Sequence, residues 1–470
     1  MDYQKIGFKC GLEIHQQLEG KKLFCSCPTL IKDDEPDFII KRRLRASAGE
    51  SGDIDIAAKY EQKIGKEFIY NIYNDSNCLV CVDEEPPHDV NSDALKIALE
   101  VSMLLNAKIV DEIHFMRKVV IDGSNTSAFQ RTALISRDGY IETSKGRVKI
   151  MTVCLEEEAA KIIEKKDTYV KYNLSRLGIP LLEIATDASI KDPEHAKEVA
   201  EKIGMILRSL NGIKRGIGTI RQDVNVSIDK GARIELKGFQ ELKSIPLVIK
   251  NEVERQLKLI EKEEKIKQEV RNAKPDGTSE FLRPMPGAER MYPETDTTSI
   301  EITKNILSKI KVPELLTEKI MNIEKKYNIS SEIAREVIEK NINLDKFLIK
   351  NLDADYVARV LIDIPKEIKS RLNLNSDKLT EKDFLQVLSE ISNGSPKQAA
   401  IDMLSDIIKN GKLDVNKYKG VSDIKLEQDI KDIIENNKKA PLNAIIGEVM
   451  KKYRGKVDGK KVVDLIKKLS

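Results

Sequence analysis

The stretch Cys10-Gly-Leu-Glu-Ile-His-Gln-Gln-Leu18, followed closely by Phe24-Cys-Ser-Cys-Pro28, places an acid, an imidazole and two thiols near one another in the chain. Strict alternation along Cys10–His15 sets Glu13 and His15 on one face of a strand and Leu12 and Ile14 on the other. Buried polar groups cost free energy unless they are paired, so such a strand reads as carrying a wet, functional face. The pattern recurs. Arg147–Cys154, Arg221–Ile228 and Arg233–Lys237 all alternate, with Asp223, Asn225 and Ser227 opposite Val224, Val226 and Ile228, and Glu235 opposite Ile234 and Leu236. This predicts an antiparallel sheet with one buried and one solvated side. Apolar recurrence at three and four residues predicts helices at Ser92–Leu105, Pro193–Leu210 and Leu247–Arg271.

After Met291-Tyr-Pro-Glu-Thr-Asp296 glycine becomes sparse, and helical periods follow one another from Ile302 to about Ile408. The polar stretch Gly411–Asp423 reads as a hinge before a small helical module. The fold class expected is α+β, with domains at 1–300, 301–408 and 409–470. Within Val449–Leu469, eight basic residues (Lys451, Lys452, Arg454, Lys456, Lys460, Lys461, Lys467 and Lys468) stand against Asp458 and Asp464. That charge suits either a solvated helix face or a surface that contacts phosphates.

The 470 residues exceed what one simple core accommodates. Basic and acidic residues nearly balance at a net charge of +3, so any sign of a nucleic-acid partner must be local. No apolar run reaches the length of a membrane span, and Met1-Asp-Tyr-Gln-Lys-Ile6 is neither a signal nor a transit peptide. A cytoplasmic location with reduced cysteines is expected. All six cysteines and all four histidines precede residue 196, which confines chemistry by those groups to the N-terminal part.

Cys25-x-Cys27 and Cys78-x-x-Cys81 form a set of four thiols suited to a closed structural zinc site, with reduced free thiols as the alternative. Cys10 and Cys154 read as core residues, His114 and His195 as surface or packing residues, and His88 as part of a loop. Glu13, His15, the run Glu156-Glu-Glu158, Asp223 and Glu235 together suit magnesium, which takes hard oxygen ligands and is shared with substrate phosphates. No GxxxxGK[ST] phosphate loop occurs, and Gly216-Ile-Gly218 reads as a turn. Arg42-Arg-Leu-Arg45 with Ser47-Ala-Gly-Glu-Ser-Gly52 reads either as a plain loop or as a phosphate approach. In the second case Arg45, Ser47 and Ser51 are the cofactor-binding candidates. No Ser-His-Asp or Cys-His nucleophile order is legible.

Seven ordered motifs resemble the GatB/GatE family of tRNA-dependent amidotransferases. They are Gly11–Leu18, Asp122-Gly-Ser-Asn-Thr-Ser127, Leu155–Glu158, Arg176-Leu-Gly-Ile-Pro-Leu-Leu-Glu-Ile184, Arg221-Gln-Asp-Val-Asn225, Glu235-Leu-Lys-Gly238 and Arg290-Met-Tyr-Pro-Glu-Thr-Asp296. The first, second and last are similar to the archaeal E branch of that family. The resemblance implies a cradle-shaped sheet domain, a helical domain and a small tail that contacts tRNA. It implies ATP-dependent phosphorylation of the glutamate carried by tRNA(Gln), then amidation with ammonia from an L-asparaginase-like D-type partner, in a hetero-oligomer of two D-type and two E-type chains. By position, Glu13, His15, Glu157, Asp223 and Glu235 match the family's magnesium and catalytic ligands, with Glu156 the close alternative to Glu157. The four cysteines match its zinc site. The E branch carries an inserted domain before the Met-Tyr-Pro-Glu-Thr-Asp motif, whereas here Arg271 runs to Phe281 with only Asn272–Glu280 between. Two other readings compete: a non-catalytic tRNA-binding module, and a zinc hydrolase, which fails if four cysteines close the zinc shell.

Overall fold

The computed structural model describes the chain except residues 49–51, 55, 240, 286–290, 419–422, 437–441, 454–456, 458 and 470. Chain contacts divide it into two units, Met1–Leu316 and Thr317–Ser470.

In the first unit, an 11-stranded sheet is built around the strand Lys9–Gln17. Ile220–Ser227 pairs with it on one side and Pro180–Thr186 on the other, both antiparallel. Ile234–Lys237, Glu269–Ala273 and Ser279–Pro284 continue outward beyond the first neighbour. Gly146–Glu157, Phe129–Thr143, Phe115–Val119 and Met291–Pro293 continue beyond the second. One pair in this sheet, Ile234–Lys237 with Glu269–Ala273, is parallel. Parallel neighbours need a crossover connection, and the helix Ile245–Glu261 supplies it.

Leu12, Ile14, Ile184, Val224, Val226 and Leu236 belong to one continuous core with residues of the helices Ser92–Leu104, Pro193–Arg208 and Ile245–Glu261. The first two helices start where the chain places a cap. The Asn91 side chain accepts from the Asp93 and Ala94 amides, and Asp192 accepts from the His195 amide with Pro193 at the first helical position. The third helix ends ten residues before the Arg271 expected from sequence. Glu263 takes a left-handed backbone (φ 57°) and the Glu264 amide returns to the Leu259 carbonyl, closing the helix. The charged run 261–268 has no apolar stripe to bury, while Val270 is fully buried as part of a strand.

A second, four-stranded sheet is formed by Phe38–Arg42, Glu67–Ile72, Tyr169–Asn173 and Lys161–Lys165, over a small core containing Phe68, Tyr70, Val170 and Tyr172. The motif Asp122–Ser127 ties this sheet to its surroundings. The Tyr70 hydroxyl donates to the Gly123 carbonyl (2.9 Å), Tyr172 donates to the Asp122 carbonyl (2.7 Å), and Thr126 donates to the Cys81 carbonyl (2.9 Å). Gly123 holds φ +89°, and a Cβ there would stand 2.1 Å from the Phe68 ring. Glycine is required.

Where the resemblance puts an inserted domain, Glu269–Ala273 and Ser279–Pro284 are joined by a tight turn, with the Lys274 amide bonded to the Thr278 carbonyl at 2.8 Å. The short helix Lys304–Lys309 belongs with the first unit, since Ile302, Ile306 and Ile310 pack on its core. The second unit is helical among its described residues, from Leu316–Tyr327 onward. Its last three helices, Asp423–Asn436, Leu442–Lys452 and Gly459–Leu469, share a core of their own that includes Leu426, Ile430, Val449, Val462 and Ile466.

Candidate functional site

The polar face of the large sheet is not open to solvent as alternation alone predicted. It lines a cavity of about 340 Å³, and Asp223 and Glu235 are buried in its wall. Register explains the convergence. Glu13 lies opposite Asp223, His15 opposite both Arg221 and Glu183, and Glu235 opposite Asn225. Because side chains alternate along a strand, these pairs put acids from adjacent strands on one face.

A cation stands between acids at three places. His15 Nε2 lies 3.2 Å from Glu13 and 3.4 Å from Glu183. Lys118 bonds Glu156 and lies 3.5 Å from Glu183. Lys237 Nζ lies 2.5 Å from Asp223 and 2.5 Å from Glu235. Burial alone would lower the pKa of His15, but hydrogen bonds to Glu13 and Glu183 outweigh it and push the imidazole up to about 10. Burial likewise opposes charge on Glu13, yet His15 holds that carboxyl below its usual range. Glu183 is held low against burial by Lys118 and His15. Glu156 goes the other way, raised by burial and by the Glu183 charge. Lys237 is raised because Asp223 and Glu235 overcome its burial.

Of the residues expected from sequence, the cavity brings together Glu13, His15 and Glu235 in its lining, and Asp223 joins Glu13 and His15 within metal-ligand reach. Glu157 lies elsewhere. It shares the strand face of Leu155, is buried, and accepts from the Arg131 amide (3.1 Å) and guanidinium (3.4 Å). Arg131 also pairs with Glu294 at 2.6 Å, and Arg117 joins Glu294 to Asp296, so Glu157 belongs to an ion network behind the cavity. The neighbours Glu156 and Glu158 face the cavity instead. Arg221 and Gln17 bond Glu158 through three contacts of 2.7–3.0 Å, which marks it as an anchor; Glu156 is the acid beside Glu183 and His15. Arg45 and Ser47 are exposed and absent from the cavity lining, because Leu44 and Ala46 between them pack against Ala58, Val119 and Ile121. Ser51 lies outside the described residues.

Lys118, Glu183 and Lys237, which hold the constellation together, carry no motif signal of their own in the sequence. Glu183 stands within Leu181-Leu-Glu-Ile184, where an acid interrupting an apolar run is the available sign. His195 is a packing residue as expected: it is buried, with its ring bonded to Thr143 (2.8 Å) and to the Lys191 amide (3.1 Å).

Two overlapping groups offer ligand atoms within 4.8 Å of one another, namely Glu13, His15 and Asp223, and His15, Glu156 and Glu183. Carboxylate oxygens in a wet cavity fit magnesium. The sulfurs of Cys25, Cys27, Cys78 and Cys81 form a separate group, also within 4.8 Å, and none is in a disulfide. Cys25 Sγ and Cys81 Sγ are 3.8 Å apart, and four sulfurs held at about 2.3 Å from a tetrahedral zinc stand about 3.8 Å apart. Hydrogen bonds from Cys25, Cys27 and Cys78 and the nearby Lys22 ammonium favour the Cys81 thiolate, and bonds from Cys25 and Cys27 push Cys78 down to about 6. The cluster fits zinc, and its four sulfurs leave no open position.

The family profile described as the GatB/GatE catalytic domain matches residues 8–308, and a GatB domain profile matches residues 346–469. The E-type glutamyl-tRNA(Gln) amidotransferase chain of Methanocaldococcus jannaschii is 37% identical to this chain, covering 100% of it and 99% of the relative. Its counterparts in Methanosarcina acetivorans and Archaeoglobus fulgidus are 37% and 34% identical, covering 99% and 100% of this chain and 98% of each relative. The alignment with the first runs over 625 positions against the 470 residues here, so that relative carries sequence with no counterpart in this chain. With two profiles in order and full-length relatives of this similarity, the chain belongs to the GatB/GatE family of amidotransferases.

Proposed function

We propose that this chain converts glutamate carried on tRNA(Gln) into glutamine, in a phosphoryl transfer followed by an acyl transfer. In the first step an oxygen of the glutamate side-chain carboxylate attacks the γ-phosphorus of ATP and ADP leaves. In the second, ammonia attacks the resulting acyl phosphate, inorganic phosphate leaves, and the nitrogen loses a proton to give the amide. A free carboxylate is a poor acyl electrophile because oxide is a poor leaving group; phosphate solves that.

The observation that supports this reading is the cavity in which acids from four neighbouring strands alternate with Lys118, Lys237 and His15. Glu13, Asp223, Glu235 and Glu156, with His15, are the residues that would hold magnesium; Glu157, matched by the family motif, supports that strand from behind. When bound, magnesium neutralises charge on the phosphates. Lys118, Lys237, Arg221 and Arg233 bring positive charge to the cavity lining, suiting a polyanionic substrate. Asn125 and Gln130 offer side-chain amides to the same lining and suit the polar end of the substrate glutamate.

An L-asparaginase-like D-type partner is the ammonia source in this reading, the assembly is a cytoplasmic hetero-oligomer, and zinc at the four cysteines is structural. The module 409–470 contacts tRNA phosphates. Incubating the chain with Glu-tRNA(Gln), ATP, magnesium and an ammonium salt is expected to yield Gln-tRNA(Gln) and equal ADP. Tight tRNA binding without ADP or product would overturn the reading in favour of a non-catalytic RNA-binding module.

A further inference from the structure

We infer that Lys237 is a resident counter-ion that a divalent metal displaces from Asp223 and Glu235, freeing its ammonium to hold the phosphates of the nucleotide. This deepens the ATP-dependent reading and rests on it.

The argument starts from charge. Glu13, Glu156, Glu183, Asp223 and Glu235 approach one another across neighbouring strands. Ionised carboxylates this close are held together only where cations intervene. The cations present are the chain's own: His15 bridges Glu13 and Glu183, Lys118 bridges Glu156 and Glu183, and Lys237 bridges Asp223 and Glu235. Lys237 stands out among the three. Its Nζ is 2.5 Å from Asp223, whose carboxylate is one of the ligand-capable group Glu13, His15 and Asp223. Oxygens bonded to an ammonium at that distance do not face a metal unhindered.

Lys237 is also the more movable of the two lysines. Its side chain is 27% exposed, against 11% for Lys118, and it lines the cavity. A divalent ion arriving at Glu13 and Asp223 supplies the positive charge that Lys237 supplied before. The released ammonium then faces the same space as Arg233 and Arg221, where phosphates would sit. Metal and nucleotide therefore assist each other: metal frees the phosphate clamp, and phosphates draw the lysine off the metal ligands. Linkage makes that assistance equal in both directions.

The test measures Mn2+ binding to the whole chain by electron paramagnetic resonance, without tRNA and without turnover. In the unaltered chain a non-hydrolysable ATP analogue is expected to tighten Mn2+ binding by at least about fivefold. In Lys237→Met, Mn2+ is expected to bind at least about fivefold more tightly than in the unaltered chain without nucleotide, and the analogue to add little. Lys237→Arg, which keeps the charge, is expected to retain weak metal binding. A merely structural lysine predicts the reverse, weaker metal binding on removal. On the unaltered chain, amine labelling of Lys237 read by mass spectrometry is expected to accelerate on adding Mg2+, which tests the release without any variant. Unchanged labelling, or metal affinity in Lys237→Met equal to or below the unaltered chain, overturns the displacement and leaves the ATP reading standing. Failure of the unaltered chain to bind either Mn2+ or the analogue overturns both.

Discussion

Asp223→Asn leaves Lys237 with one ionised partner instead of two and removes a hard ligand from the group Glu13, His15 and Asp223. Magnesium-dependent ADP formation is expected to fall at least about 100-fold in this variant and in Glu13→Gln. The paired variants Glu156→Gln and Glu157→Gln separate two roles. The first is expected to suppress ADP formation with little change in thermal stability. The second is expected to cost about 1–3 kcal/mol of stability, because Arg131 loses a buried acceptor, while the cavity lining is untouched. Greater loss of turnover in Glu157→Gln than in Glu156→Gln would return the catalytic place to Glu157. His15 carries a pH signature. Its folded pKa, about 10, lies above the ordinary 6.5, so its contribution is fully present below pH 6.5 and is lost as pH rises through about 10. In metal-free protein, the stability difference between the unaltered chain and His15→Gln is expected to shrink over that window; a constant difference would contradict the imidazolium bridge.

At the scale of elements, alternation made the sheet legible. Cys10–His15, Arg147–Cys154 and Arg221–Ile228 all fall largely within strands, because a period of two is a local property of the chain. The same rule, applied through Leu155, separates Glu157 from Glu156 and Glu158; the family match to Glu157 ran against it. The helix expected to reach Arg271 was not legible at its end, since residues 261–268 carry helix-compatible charges and only the pairing of Val270 with Glu235 shows a strand there. Gly123→Ala is expected to destabilise by about 1–3 kcal/mol, read by thermal denaturation, because φ is left-handed and the added carbon meets Phe68. In the tail, the exposed Lys451, Lys452, Lys467 and Lys468 lie beside a core of their own. Replacing them with glutamine is expected to weaken tRNA binding and flatten its salt slope by about one per lost phosphate contact. An unchanged slope returns this surface to a plain solvated face.

For the whole molecule, the thiol cluster and the carboxylate cavity are separate centres linked through one strip of chain, since the strand Lys9–Gln17 leads directly to Cys25 and Cys27. Metal analysis of the purified chain is expected to find zinc at one equivalent, lost in Cys78→Ser together with several degrees of thermal stability. A chain without zinc that melts at the same temperature as one with it would make the cysteines free thiols. By itself, the sequence determined the α+β class, the strands that carry polar faces, the four thiols and the family motifs, because periodicity and residue identity are written locally. Only the tertiary structure decided which acids meet and which cations stand between them. Glu13, Glu183, Asp223 and Glu235 come from four strands spread over more than two hundred residues, and Lys118 from a fifth. Their meeting depends on register, which long-range hydrogen bonds and the buried opposite face set together.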